Sequence, residues 1–232
     1  TLSLYNFLVP MQQCKAITKC KFSDSECLKA SAITFLPTLV PGIKEVNTDP
    51  IDPMHVDEIS IDLSGLKMVL SDVVINGLKD AKIQKLSLDM EKKEMKLIFN
   101  SDFIMNSHYR ARGRLLVLPI TGDGDANIKI NNLAIDLLAH FVLSKNSNGK
   151  DVINLKSFTY KYELKDGFHI KLTNLFNGNK ELSDAMHKFI DENWKPLSEE
   201  FGKPIIDGAI KVLFKNIRKF LKSQPLADIS LS

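Results

Sequence analysis

Residues 174–222 read NLFNGNKELSDAMHKFIDENWKPLSEEFGKPIIDGAIKVLFKNIRKFLK. The opening Asn174-Leu175-Phe176-Asn177-Gly178 is turn chemistry that stops whatever precedes it. Beyond it Met186, Phe189, Ile190, Leu197, Phe201 and Ile205, then Ala209, Val212, Leu213, Ile217 and Phe220, recur at steps of three and four, the helical period. That spacing predicts a long amphipathic helix of about 40 residues. Pro196 and Pro204 each remove a backbone donor, and Gly202 and Gly208 weaken the rod, so a kink or a join of two helices is expected near Lys195-Pro196. The apolar stripe is wide and lacks heptad regularity. It therefore needs a concave cover from the same chain rather than a coiled-coil partner.

Residues 57–175 look like that cover. Ile59, Ile61 and Leu63 alternate with polar neighbours, followed by Leu66, Met68 and Leu70, then Val73 and Ile75, with Gly77 ending the segment. Leu86, Leu88 and Met90 lead into Glu91-Lys92-Lys93-Glu94, and Met95, Leu97 and Phe99 alternate after it, which is a hairpin. Residues 103–117 carry the clearest pattern: Phe103, Met105, Ser107, Tyr109, Ala111, Gly113, Leu115 and Val117 on one face, Asn106, His108, Arg110, Arg112 and Arg114 on the other. One face is dry, the other wet and basic. Gly122-Asp123-Gly124-Asp125 reads as a turn. Alternation through Ala126, Ile128 and Ile130 then changes phase at Asn131-Asn132, after which Leu133, Ile135, Leu137, Ala139 and Phe141 hold the apolar side. Such a slip marks a bulge, which bends a strand. Phe158, Tyr160, Tyr162 and Leu164 lead through Lys165-Asp166-Gly167 to Phe168, Ile170 and Leu172, read as a second hairpin. Long strands with one dry face, followed by one long apolar helix, imply an α+β fold in which a highly curved antiparallel sheet wraps the C-terminal helix. Such a sheet turns more side chains inward than one helix can fill, and the leftover volume is the functional clue.

At 232 residues the chain can bury roughly 70–75% of its unfolded surface and is read as a single domain over residues 1–232. Its 31 basic and 28 acidic residues give a net charge of +3, spread rather than blocked, so no nucleic-acid footprint is present. No window approaches about 18 consecutive apolar residues, the length of a membrane-spanning helix. The start at Thr1, without a charged and then apolar leader, suits a mature chain whose targeting peptide has been removed. Residues 25–35 fit a short N-terminal helix, capped by Ser23 or Ser25 and stopped by Pro37, and the proline-bearing stretch 41–53 is an extended connector. The three cysteines are Cys14, Cys20 and Cys27. Cys20 and Cys27 could close a small loop, with reduced thiols as the alternative; zinc is poorly served, because no histidine lies near them. Cys14 is then left over, as a free thiol or an intermolecular link.

Catalytic motifs are missing. There is no Gly-x-Ser-x-Gly elbow, His-Glu-x-x-His pair or phosphate-binding Gly-rich loop. His55, His108, His140, His169 and His187 are scattered, Ser64-Gly65-Leu66-Lys67 lacks companion motifs, and Gly122-Asp123-Gly124-Asp125 lacks the bidentate acid of a calcium loop. No enzyme activity, metal or cofactor is expected.

The Cys20 and Cys27 pair, the connector from Gly42-Ile43 to Asp52-Pro53-Met54, the strand end Gly77-Leu78, the asparagine-rich turn at 174–178 and Asn193-Trp194 appear in one order over most of the chain. In this the chain resembles the insect takeout and juvenile-hormone-binding protein family, of the tubular lipid-binding superfamily. The resemblance implies a long helix wrapped by a curved sheet, an internal apolar tunnel, a secreted carrier of hydrophobic small molecules, and a disulfide between Cys20 and Cys27. The hormone-binding branch has a second disulfide later in the chain; no cysteine follows Cys27, which favours the takeout-like branch.

The expected ligand is a fatty acid, isoprenoid or related lipid, bound by a monomer with no nucleic-acid partner and no stable membrane insertion. The expected lining is Met68, Leu70, Leu97, Phe99, Phe103, Met105, Tyr109, Leu115, Val117, Leu137, Phe141, Phe158 and Tyr160 from the strands, facing Phe189, Phe201, Ile205 and Phe214. Two other readings remain: an esterase, which needs a nucleophile within reach of a base, and a membrane-surface or microbial-lipid-binding protein using the Arg110, Arg112 and Arg114 face.

Overall fold

The computed structural model describes residues 17–231, so Cys14, read as a free thiol or an intermolecular link, lies outside the described residues. Asp24, rather than Ser23 or Ser25, caps α1 (Ser25–Leu39); its carboxylate accepts from the Cys27 amide at 2.9 Å. Pro37 lies inside α1 instead of beyond it, and the last turn still closes through Val40 N–H donating to Leu36 O. A disulfide joins Cys20 to Cys27, seven positions apart. It fastens the arm before α1 to the helix, and backbone bonds from Cys20 N–H to Ile229 O and from Leu231 N–H to Cys20 O fix that arm against residues 229–231. A loop this short confines the unfolded chain by about 2.5 kcal/mol. Replacing both cysteines by serine is expected to lower stability by about that amount in urea unfolding; an unchanged midpoint would show that the arm is held by its backbone bonds alone.

One antiparallel sheet of seven strands follows: β1 (Met54–Leu63), β2 (Leu66–Asn76), β3 (Lys82–Asp89), β4 (Glu94–Leu115), β5 (Leu118–Lys145), β6 (Asp151–Leu164) and β7 (Phe168–Leu172). The order is β1-β2-β4-β5-β6, with β3 continuing the line of β2 along β4 and β7 continuing the line of β6 along β5. Three expectations are corrected. The segments around Met95 and Tyr109 are one strand of 22 residues. Residues 165–167 are not a hairpin turn, because β6 and β7 pair with successive stretches of β5 and not with each other. Gly122-Asp123-Gly124-Asp125 does not turn the chain; it lies within β5. Its glycines answer to close packing: a Cβ on Gly122 would sit 2.3 Å from Tyr109 Oη, and one on Gly124 2.6 Å from Thr173 O.

The bulge expected at Asn131-Asn132 is present, opposite Asp102, where the β4–β5 register shifts. It belongs to a line of breaks crossing the sheet, from Gly77 between β2 and β3 to residues 165–167 between β6 and β7. Ser101 Oγ donates to Gly77 O at 2.7 Å, Asn132 N–H to Asp102 Oδ1 at 2.7 Å, Asn132 Nδ2 to Asp166 Oδ2 at 3.0 Å, and Asn131 N–H to Gly167 O at 3.1 Å. Backbone groups released by the bulges are thus satisfied where they are freed, and a row of bulges curls a sheet.

The predicted long helix is two, α2 (Lys180–Glu192) and α3 (Trp194–Ser223), joined at Asn193. The join comes just before Lys195-Pro196, which leaves Pro196 in the first turn of α3, where its missing donor costs nothing. A short α4 (Leu226–Ile229) ends the described chain. Helix α3 packs against β1 and β6, the two outer strands of the sheet, so the sheet wraps the helix without closing on itself. Asn216 of α3 is fully buried; it accepts from Asp49 N–H at 2.7 Å and donates to Val212 O at 3.1 Å, pinning the connector to the helix.

Candidate functional site

Along α3 the inward faces of helix and sheet leave space unfilled in three places. Leu70, Leu115, Ile128, Leu133, Phe201 and Ile205 are among the walls of a first cavity of about 110 Å³. Further along the helix a second, of about 50 Å³, lies among Phe99, Phe103, Met105, Ile205, Ala209 and Leu213. The third and largest, about 190 Å³, opens between α1, β3, β4 and the C-terminal half of α3, with Leu28, Phe35, Leu36, Leu97, Leu213 and Phe220 on its walls. Neighbouring cavities share walls: Ile130, Leu133, Ile205 and Ile206 bound the first and second, and Leu78, Phe99 and Leu213 the second and third. From Phe201 to Leu221 the row follows about 30 Å of helix at a rise of about 1.5 Å per residue.

The lining offers almost nothing for water to bond. Among the described residues, the only polar side chains on the first cavity's walls are Tyr162, whose Oη donates to Ser198 O at 3.2 Å, and Ser198, whose Oγ donates to Lys195 O at 2.7 Å. In the third they are Thr18 and Ser31, with Ser31 Oγ donating to Thr18 O at 3.1 Å. The second has none among the described residues. Internal water needs two to four polar partners, so space walled in this way stays dry or holds apolar matter.

The expected lining residues divide. Met68, Leu70, Leu115, Phe201 and Ile205 border the first cavity, Phe99, Phe103 and Met105 the second, and Leu97 with Phe99 the third. Tyr109, Leu137, Phe141 and Phe214 are buried in packed core instead of at a cavity wall. Tyr109 Oη donates to Thr173 O at 2.7 Å, and burial, helped by the nearby Asp123 charge, pushes the phenol up to about 12. Phe158 and Tyr160 seal β6 against α3. The Phe158 ring lies 4.5 Å from that of Phe214, and Tyr160 Oη donates to Asp207 Oδ1 at 2.5 Å, a carboxylate that also receives Lys203 Nζ at 2.8 Å. Burial first, then the hydrogen bond to Asp207 and that carboxylate's charge, hold the Tyr160 phenol well above its ordinary range. Burial would raise Asp207 too, but its bonds from Lys203 and Tyr160 outweigh it and keep the carboxyl below the usual value. Phe189 is half-buried against the core and borders none of the three cavities. Val117 is a correction: it is 74% exposed, because the alternation ends at Leu115 and Leu116-Val117 turns the chain from β4 into β5.

The wall that sequence reasoning missed is α1. Leu28, Ala32, Phe35, Leu36 and Leu39 close the third cavity with Ile83, Leu86 and Leu88 of β3. Their helical spacing is readable, but a cover sought only in residues 57–175 leaves α1 without a role.

The model of the haemolymph juvenile hormone binding protein family (JHBP) matches residues 3–231 of this chain. The chain is 41% identical to Takeout 1 of Epiphyas postvittana, whose crystal structure superposes with a TM-score of 0.89 over 92% of this chain and 99% of that one. It is also 28% identical to the circadian clock-controlled protein daywake of Drosophila melanogaster, over 84% of this chain and 79% of that protein. To daywake of Drosophila yakuba it is 28% identical over 88% and 83%.

Proposed function

This chain belongs to the haemolymph juvenile hormone binding protein family, whose members bind hydrophobic ligands, and we propose that it is a secreted, monomeric, single-domain carrier of one elongated apolar molecule. A fatty acid, an isoprenoid or a related lipid fits the reading. The observation that carries it is the row of three dry cavities with shared walls beside α3, a shape suited to a chain and not to a compact ring system. The disulfide supports release into an oxidising compartment, and the reading requires no catalytic group or cofactor.

A flexible chain burying about 400 Å² of apolar surface gains on the order of 10 kcal/mol at about 25 cal/mol/Å², against several kcal/mol lost on association and ordering. Affinity should fall between about micromolar and tens of nanomolar. An apolar wall separates ligands differing by one methylene by only about 1–3 kcal/mol, so selectivity among apolar chains is loose. Several unrelated long-chain compounds are therefore expected to displace a fluorescent fatty-acid probe, and mass spectrometry of an organic extract of purified protein identifies what it carries. Absence of probe binding would leave the fold standing and remove the carrier. Phe103→Arg places a guanidinium beside the second cavity and is expected to weaken probe binding at least ten-fold. Unchanged binding would place the ligand elsewhere.

A further inference from the structure

Two hairpin turns meet at one end of the sheet. Ser64-Gly65 joins β1 to β2 and Leu116-Val117 joins β4 to β5, each a two-residue connection between paired residues, Leu63 with Leu66 and Leu115 with Leu118. Arg114 N–H donates to Gly65 O at 3.1 Å, and Gly113, at φ +115°, lies so close that a Cβ there would stand 2.1 Å from the same oxygen. The two turns thus form one rigid tip.

Their chemistry differs. Ser64 and Gly65 have the positive φ values of 51° and 82° that such turns demand, and Gly65 takes its value without strain. Leu116 takes φ +53°, a position where glycine or asparagine is usual, and its neighbour Val117 is 74% exposed, with Leu63 across the tip at 40%. A bulky residue in that region costs on the order of 1–3 kcal/mol, and strain of this kind is typically retained where a site uses it. Around these apolar residues stand Lys67, Arg112 and Arg114, all exposed. Arg112 and Arg114 have no ion-pair partner among the described residues, Lys67 has only the exposed Asp62 at 3.4 Å, and no other carboxylate occurs in residues 62–67 or 112–121. Immediately behind the tip, Leu66, Leu115 and Ile120 wall the first cavity.

We propose that this tip docks on an anionic phospholipid bilayer, with Val117 and Leu63 entering the interface and Lys67, Arg112 and Arg114 meeting the headgroups. Exposed apolar residues within a cationic collar match such a surface in both of its layers. Docking sets the end of the first cavity at the membrane, where an apolar cargo enters or leaves without crossing water. That last clause rests on the carrier reading; the docking itself does not.

Flotation with vesicles of phosphatidylcholine alone, or with about one-third phosphatidylserine, tests it. The wild-type chain is expected to float only with the anionic vesicles and to be released at about 1 M salt. Two exposed charges removed in R112S/R114S should weaken binding about thirty-fold, and V117N about ten-fold. Neither change touches a buried group, so circular dichroism should report intact folding. Equal flotation with both vesicle types, flotation with neither, or wild-type binding by both variants would overturn the proposal. Fatty-acid probe binding is read in parallel without vesicles. Bound probe with no flotation overturns docking and leaves the carrier, whereas anionic-selective flotation with no bound probe supports docking and removes the carrier.

Discussion

Tyr109→Asp is expected to leave the chain unfolded, the largest stability loss among the substitutions considered. The Tyr109 side chain is fully buried in the C-terminal half of β4, and its hydroxyl spans β5 at Gly122 to reach Thr173 O at 2.7 Å. Removing a buried aromatic ring costs about 3–5 kcal/mol, and a carboxylate in its place adds an unpaired polar group. Together these rival the whole stability of an ordinary domain, about 5–15 kcal/mol. Tyr109→Phe separates the two contributions: it keeps the ring, leaves Thr173 O without its donor, and should cost about 1–2 kcal/mol. On the opposite face of the same strand Arg110, Arg112 and Arg114 are exposed, and serine at any of them should change stability by no more than about half a kcal/mol. Urea unfolding of the series reads the difference directly. Comparable losses on both faces would mean that neither face of β4 is a core face.

That contrast was legible in the residues, since strict alternation over residues 103–115 tells which side is dry. The phase slip at Asn131-Asn132 was legible for the same reason, because a bulge moves every later side chain to the other face. What alternation does not carry is pairing. Phe158 to Leu164 and Phe168 to Leu172 look like hairpin arms, yet each is aligned against β5, whose length of 28 residues accommodates both in turn. Nor does composition tell a turn from a close approach. Glycines 122 and 124 read as turn residues until Tyr109 and Thr173 are seen pressing on them. The candidate site suffered a further ambiguity: an inward residue either bounds a void or fills one. Leu137 and Phe141 occupy packed core while Phe99 and Phe103 face space, although all four have the same apolar, alternating signature. The difference lies in what packs opposite, a relation between distant segments. The same applies to α1, whose apolar residues acquire meaning only once the disulfide-bound arm sets the helix over β3.

Ala209→Leu is expected to divide the row of cavities and so to separate ligands by length. Ala209 lies on the wall of the second cavity, between Ile205 and Ile206, which border the first, and Leu213, which borders the third. Leucine is a good helix former, so the backbone of α3 tolerates it, and three added carbons entering a void of about 50 Å³ fill space and need not displace neighbours. Without ligand the variant should be as stable as the wild type or slightly more so. A long chain that must pass the second cavity would then lose its segment on the far side. Each methylene kept in water forfeits about 0.8 kcal/mol, so excluding about four of them weakens binding on the order of 100-fold. A short chain housed in the third cavity alone would lose little. Displacement curves for a homologous series of fatty acids should therefore coincide for wild type and variant at short lengths and diverge above a threshold. Parallel weakening at every length would show that the second cavity is not a passage but part of a single compact site. No change at any length would place the ligand outside the row altogether.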